Sequence, residues 1–161
     1  MDIYDYAMQL EKDGELYYRE LSGRVVNAGL KNILTMLADA EVKHYELFGK
    51  MKRNEPVEVP DSPILDDVKN IFVKMRDEGE AITDNGSEVD LYARAQQIEE
   101  KTRDFYREKA GEVADPRQKQ ALLKIADEEQ RHYLILENII EFVSRPFTWL
   151  ENAEWYHLEE Y

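Results

Sequence analysis

The sequence predicts an all-α fold, a bundle of four long helices with a long connection between the second and the third. Only seven glycines and five prolines interrupt its 161 residues, and the long stretches between them repeat apolar residues with a helical period. Runs of alternating apolar and polar residues, which indicate strands, are nearly absent. Short links join helices 1 and 2 and helices 3 and 4, whereas residues 54–89 separate helices 2 and 3.

The first two helices are each predicted from one apolar face. We expect helix 1 from about Ile3 to Val26 and helix 2 from about Leu30 to Arg53. The inward positions of helix 1 include Tyr4, Ala7, Met8, Glu11, Tyr18 and Leu21. Those of helix 2 include Leu30, Ile33, Leu34, Leu37, Ala38, Glu41, His44, Tyr45 and Phe48. Each apolar face therefore carries ionisable residues at positions that should be buried, which is uncommon.

A break follows the second helix. The segment NEPVEVPDSP at residues 54–63 interrupts the helical period, and Asp61 or Ser62 is placed to cap a shorter helix after it. The third long helix follows a loop, with Ser87 as its capping signal, and is predicted to run to about Val113. Its aligned inward residues are Leu91, Ala95, Glu99, Thr102, Tyr106 and Ala110.

The fourth long helix is predicted to begin at Asp115-Pro116 and to end before Pro146. Its apolar face includes Leu122, Ile125, Ala126, Glu129, His132, Tyr133, Leu136 and Ile140. Residues 1–145 are therefore expected to form two helical hairpins joined by a long crossover, which is the ferritin-like arrangement of a four-helix bundle. Residues 146–161 are expected to form a tail or short helix that packs on the bundle.

The composition argues against several functional classes. The chain has no cysteine, which excludes disulfides, thiolate zinc sites, iron–sulfur clusters and a cysteine nucleophile. Its net charge of -14 argues against nucleic acid as a partner, because the phosphates would be repelled. No apolar run comes near the roughly 18 residues that a membrane span needs. The first residues lack the features of a signal peptide, and we therefore expect a cytoplasmic protein.

The two halves of the chain repeat each other at a distance of 99 − 11 = 88 residues. Glu-x-x-His-Tyr begins at Glu41 and again at Glu129, although the chain has only three histidines. A single glutamate precedes each motif by the same distance, 41 − 11 = 30 and 129 − 99 = 30. The coinciding pairs include Glu11 with Glu99, Tyr18 with Tyr106, Arg19 with Arg107, Asp39 with Asp127, Glu41 with Glu129 and His44 with His132. Two hairpins related by a pseudo-twofold axis would bring four glutamates and two histidines together.

These six residues are candidate metal ligands because they lie on the apolar faces of their helices. Burying an unpaired carboxylate costs several kcal/mol or forces it to take up a proton. Two divalent cations would balance four carboxylates, and mixed carboxylate and imidazole ligands suit iron or manganese. The alternative is a pair of core histidines with glutamates nearby by chance. His157 also follows a glutamate, Glu154, by three residues, but this pair has no repeat partner and is expected to be a feature of the tail.

The six candidate ligands resemble the ligand set of ferritin-like di-iron carboxylate proteins, in which each half supplies one Glu and one Glu-x-x-His. In this sequence they are Glu11, Glu41, His44, Glu99, Glu129 and His132. The local sequences EKDGELYYREL and ADEEQRHYLIL are most similar to the rubrerythrin branch, and the resemblance covers about residues 1–143. It implies that Glu41 and Glu129 bridge two irons. Each iron would then take the single glutamate and the histidine of one half.

The resemblance also implies roles for other positions. Tyr18 and Tyr106 are expected to be hydrogen-bond partners of ligands and are the candidate catalytic residues, with core packing as the alternative reading. Tyr45 and Tyr133 are expected in the core. Rubrerythrins carry an additional carboxylate one turn after the second single glutamate, where this chain has Thr102. They also append a rubredoxin domain that contains four cysteines, whereas this sequence has no cysteine. Electrons are therefore expected here from a separate rubredoxin-like protein or from ferrous iron.

The activity implied by the resemblance is that of a non-haem di-iron oxidoreductase. The first reading is reduction of hydrogen peroxide with an external electron donor, in a cytoplasmic homodimer that acts under oxidative stress. The second is ferroxidase or iron-handling activity, in which ferrous iron is the substrate and oxygen the oxidant. The third is a metal-stabilised helical module without turnover. Manganese or a mixed metal pair is an alternative to two iron ions.

Overall fold

The computed structural model describes residues 2–78 and 88–145, which form five helices and no strand. The helices are α1 (Ile3–Arg24), α2 (Ala28–Lys52), α3 (Ile64–Glu78), α4 (Val89–Ala110) and α5 (Pro116–Ser144). The predicted all-α, four-helix fold is confirmed, with α3 as the shorter helix in the crossover. Among the described residues, no helix combines the length and the apolar character that a membrane span requires.

Side-chain caps fix the starts of several helices. Asp2 and Asp115 each accept a hydrogen bond from the backbone N–H two residues further on, at 2.6 and 2.9 Å. Asn27 accepts the N–H of Leu30 at 2.9 Å, and α2 therefore begins two residues before its predicted start. Of the two residues proposed as a cap for α3, Ser62 has this role, because its hydroxyl accepts a backbone N–H at 3.3 Å.

The four long helices form two hairpins that meet side by side. α1 packs along α2 and α4 along α5, and most contact between helices lies within these pairs. Tyr17 near the end of α1 donates a hydrogen bond to the carbonyl oxygen of Leu91 at the start of α4, at 2.7 Å. At the opposite end, the rings of Tyr6 and Phe105 lie 4.9 Å apart between centroids. These two contacts show that α1 and α4 run antiparallel.

Apolar clusters occupy both ends of the bundle. The larger one includes Phe72 of α3 and Phe142 of α5, whose ring centroids lie 5.7 Å apart. The smaller one includes Phe48 of α2. Along α2, the residues of the larger cluster come before Glu41 and those of the smaller cluster come after His44. The polar candidate ligands therefore lie in a layer between two apolar clusters.

Some predictions are corrected or fall outside the described residues. The prediction that Tyr45 lies in the core is wrong, because this residue is 40 % exposed. Tyr133 is only half-buried. The proposed cap Ser87, the tail at 146–161 and its histidine, His157, lie outside the residues that the structure describes.

Candidate metal centre

Six ionisable side chains are buried between the two apolar clusters. None of them is more than 3 % exposed. The four long helices supply, in chain order, Glu11 (α1), Glu41 and His44 (α2), Glu99 (α4), and Glu129 and His132 (α5). These are the residues that the repeat singled out as candidate ligands, and the fold brings all of them together.

The six side chains form two groups that share two members. The His44 position consists of Glu11, Glu41, His44 and Glu129. The His132 position consists of Glu41, Glu99, Glu129 and His132. Within each position, one ligand atom from every residue lies within 4.8 Å of the others. Four donor atoms at this spacing can surround a single cation, and the shared glutamates can contact both cations.

Both histidines turn Nδ1 toward the carboxylates. His44 Nδ1 lies 3.5 Å from Glu11 Oε1 and 3.0 Å from Glu129 Oε1. His132 Nδ1 lies 3.4 Å from Glu99 Oε1. The two imidazole rings are nearly parallel, with an angle of 14° and centroids 5.9 Å apart. Each histidine therefore presents one nitrogen to the space that its group of carboxylates surrounds.

Several of these atoms are buried without a hydrogen-bond partner among the described residues. They include Glu11 Oε2, Glu99 Oε2 and His132 Nδ1; His44 Nδ1 and Glu129 Oε1 are only 3.0 Å apart but are not aligned for a hydrogen bond. Buried polar atoms are nearly always paired, so a cluster of unpaired ones requires an explanation. Divalent cations fit this donor set, because four carboxylates and two cations balance in charge and the imidazoles add neutral nitrogen donors. Such mixed oxygen and nitrogen ligation suits iron or manganese.

Burial and charge divide the four carboxyl groups into two kinds. Burial, together with the neighbouring carboxylates, raises the pKa of Glu41 and of Glu129 well above the usual value. Burial also favours the neutral form of Glu11, but the charge and hydrogen bonds of its neighbours, His44 first, lower the pKa of Glu11 overall. The pKa of Glu99 is likewise lowered, since its hydrogen bonds and nearby histidine outweigh its burial. The two shared glutamates are therefore the ones that most need a cation in order to carry charge.

Two tyrosines contact ligands of the opposite hairpin. Tyr106 Oη donates to Glu11 Oε1 at 2.8 Å, and Tyr18 Oη donates to Glu99 Oε1. Burial and the charge of the accepting carboxylate raise the pKa of both phenols well above the usual value, so both remain neutral donors. The sequence analysis predicted that each tyrosine is a hydrogen-bond partner of a ligand, and the structure pairs each with the single glutamate of the other half.

One buried residue beside the ligands was not predicted. Glu128 is 7 % exposed and accepts a hydrogen bond from Nε2 of His44. Burial alone would raise the pKa of Glu128, but the hydrogen bond and charge of His44 lower it, so the group is a carboxylate. The available signal was its helical phase, because Glu128 lies three residues after Ile125 and four before His132, both of them buried.

A cavity of about 270 Å³ lies between α1 and α4 and reaches the shared glutamates. Gly14 and Thr102 line it beside Glu41 and Glu129. A Cβ at Gly14 would lie only 3.1 Å from Glu41 Oε2, so glycine permits the close approach of α1 to this carboxylate. Gly14 and Thr102 are related by the repeat, 14 + 88 = 102. Two small residues thus leave space next to the candidate metal centre.

Comparison with known proteins identifies one family. The family model described as Rubrerythrin matches residues 2–140, which is nearly the whole bundle. No curated protein and no solved structure matches the chain. The matched range contains all six candidate ligands together with Tyr18, Tyr106 and Glu128.

Proposed function

The chain belongs to the rubrerythrin family of ferritin-like di-iron proteins, and we propose that it reduces hydrogen peroxide at a di-iron centre with electrons from an external donor. The observation that carries this proposal is the pair of buried ligand groups joined by two shared glutamates. Such a cluster of carboxylates is costly in a protein interior unless cations are bound there. The family and the cluster therefore support the same kind of site.

We assign the ligands to two iron ions. Glu41 and Glu129 would bridge the ions, because each of them belongs to both groups. The remaining glutamate and histidine of each group would complete the shell of one ion. Manganese or a mixed metal pair would be bound by the same donors, since oxygen and imidazole ligands accept either metal.

When bound, two ferrous ions supply the two electrons that, with two protons, reduce one hydrogen peroxide molecule to two water molecules. The protein holds the ligands in place, with Tyr106 and Tyr18 as hydrogen-bond donors to the two glutamates that are not shared. The cavity between α1 and α4 offers peroxide a route to the shared glutamates. Its walls include Leu10, Ala95 and Ile98, which limit the number of water molecules that accompany the substrate.

A second candidate function is the oxidation of ferrous iron by oxygen. Thr102 favours it, because this residue occupies the position of the additional carboxylate of rubrerythrins. Without that carboxylate, the two positions have the same ligand types, three carboxylates and one imidazole each. A site of this kind can bind two ferrous ions as substrates, which are released after oxidation, rather than hold them as a permanent cofactor.

The cellular setting belongs to the same proposal. We propose that a rubredoxin-like protein supplies the electrons; the 161 residues contain no cysteine that could bind such a cofactor. We propose a homodimer in the cytoplasm that removes peroxide under oxidative stress, as the family resemblance suggests.

The test is an anaerobic ferrous titration of the metal-free protein, followed by rapid mixing with peroxide or with oxygen. We expect saturation at about two ferrous ions per chain and faster oxidation by peroxide than by oxygen. Glu129→Ala should abolish binding of the pair, because it removes a ligand from both positions. Asp127→Ala is the matched control, since its side chain is on the same helix and is 55 % exposed.

Each outcome of this experiment selects among the candidate functions. Faster oxidation by oxygen would favour the ferroxidase function. Binding of two ions without reaction with either oxidant would favour a metal-stabilised module without turnover. A titration that does not saturate near two ions, or equal effects of the two substitutions, would mean that the six residues are not the ligands.

A further inference from the structure

We propose that the two metal positions are inequivalent and that Glu128 makes the His44 position the first to bind a metal ion. This inference rests on the proposed di-metal centre and adds to it a positioning residue and an order of loading. The ligand types alone predict no difference, because each position has three carboxylates and one imidazole. The difference arises from the residues next to Nε2 of each histidine, on the side of the ring opposite the ligands.

His44 has a carboxylate on each side of its ring. Its Nδ1 lies 3.0 Å from Glu129 Oε1, on the side of the ligands. Its Nε2 donates a hydrogen bond to Glu128, on the opposite side. When a metal ion takes the place of the proton on Nδ1, a carboxylate in this place keeps the other proton on Nε2 and fixes the angle of the ring.

His132 lacks an equivalent acceptor. Its Nε2 is buried and has no hydrogen-bond partner in the part of the chain that the structure describes. The repeat explains why, because the counterpart of Glu128 is residue 128 − 88 = 40, which is Ala40. A methyl group accepts no hydrogen bond. The asymmetry is therefore encoded in the sequence, because Ala40 cannot supply a carboxylate in any conformation.

Glu128 favours a cation at the His44 position in two ways. It orients the imidazole and increases its strength as a donor, and it adds a negative charge close to that position. Loss of such a hydrogen-bond partner typically lowers metal affinity about 10–100-fold, and we expect a similar ratio between the two positions. Because both ions share Glu41 and Glu129, the first ion also weakens the binding of the second by repulsion, so that loading is sequential.

The test is to supply the metal-free protein with one cobalt(II) ion per chain and to compare the anomalous X-ray signal at the two positions. In the wild type, cobalt should be found mainly at the His44 position. Glu128→Ala should distribute it nearly equally and lower the affinity for the first ion, measured by calorimetric titration, by about 10–100-fold. Ala40→Glu should also make the occupancies nearly equal, by supplying the missing acceptor. Ala40 lines a cavity of about 210 Å³ together with His44 and Glu128, so a longer side chain at residue 40 need not clash with the packed core.

The exposed neighbour Asp127 is the control, and Asp127→Ala should keep the preference of the wild type. Equal occupancy in the wild type would overturn the inference and leave the proposed metal centre intact. Cobalt at neither position would refute the metal centre itself. A preference that persists in Glu128→Ala would show that Glu128 is not its cause. The wild-type measurement needs no variant, so it decides the order of loading even where a substitution prevents folding.

Discussion

Replacement of Glu129 by glutamine should stabilise the metal-free protein and at the same time abolish its stabilisation by metal. Glu129 is 1 % exposed, and burial together with the charges of Glu99 and Glu11 raises its pKa. Glutamine keeps the shape of the side chain but carries no charge at any pH. The substitution therefore removes a charge that the metal-free core tolerates poorly and that a metal pair requires.

The size of the gain follows from the linkage between proton binding and folding. A carboxyl group whose pKa is raised in the folded state lowers the free energy of unfolding as the pH rises above the pKa of the unfolded state, here 4.5. The decrease continues until the pH reaches the pKa of the folded state. At pH 7 this decrease is at most about 3 kcal/mol, since each pH unit above the pKa of the unfolded state contributes about 1.4 kcal/mol. We expect Glu129→Gln to recover about 1–3 kcal/mol at pH 7. Below the unfolded pKa the gain should disappear, because the carboxyl is then neutral in both states.

The assay is urea unfolding at pH 7, followed by circular dichroism, with either a chelator or manganese(II) present. Manganese at 100 times its Kd should add about 2.7 kcal/mol to the wild type for each independent site. The variant should show no such gain, because residue 129 supplies a ligand to both positions. Asp127→Asn is the control, because its exposed side chain should change the free energy of unfolding by no more than about 0.5 kcal/mol.

Two results would refute this reasoning. A metal-free Glu129→Gln protein that is less stable than the wild type would mean that the glutamate makes a favourable interaction that outweighs its burial. Equal stabilisation of both proteins by manganese would mean that Glu129 does not bind the ions. The second result would also contradict the assignment of this residue as a ligand shared by two positions.

Three further substitutions test separate parts of the molecule. Tyr106→Phe removes the hydroxyl that donates to Glu11 at 2.8 Å and should weaken metal binding about 10-fold in a titration, whereas Tyr45→Phe, at an exposed residue, should not. Thr102→Phe should fill part of the cavity between α1 and α4 and slow oxidation by peroxide in rapid mixing, without changing the number of ions bound. An unchanged rate would mean that peroxide arrives by another route. Phe72→Ala should lower the free energy of unfolding by about 3–5 kcal/mol, because the side chain is fully buried; a loss below 1 kcal/mol in urea unfolding would contradict its place in the core.

The buried glutamates and histidines could be predicted from the sequence because two independent signals coincide on them. The repeat relates Glu41 to Glu129, and the helical phase places both on apolar faces. The start of α5 could be predicted as well, because Asp115 carries its own capping signal and forms the expected hydrogen bond. Local signals of this kind require no knowledge of the partners across the bundle.

Other features could not be predicted by the same means. A repeat reveals only what both halves share, so Glu128 remained hidden because its counterpart is Ala40. The helical period gives the angle of a side chain about the helix axis but not which neighbours cover that side chain. For this reason the exposure of Tyr45 could not be predicted. The cavity beside Gly14 and Thr102 depends on side chains of two helices that make few contacts with each other. None of these properties is local to one segment of the chain.

The covalent joining of the two hairpins bears on how such a centre can evolve. A hairpin that paired with an identical copy would build both metal positions from the same residues, and every mutation would appear twice. In a fused chain, each half accumulates mutations independently. Under the repeat, Glu128 and Thr102 of the second half correspond to Ala40 and Gly14 of the first half. Duplication thus supplies a symmetric ligand set, and divergence after fusion can tune how each ion is held and how a substrate approaches.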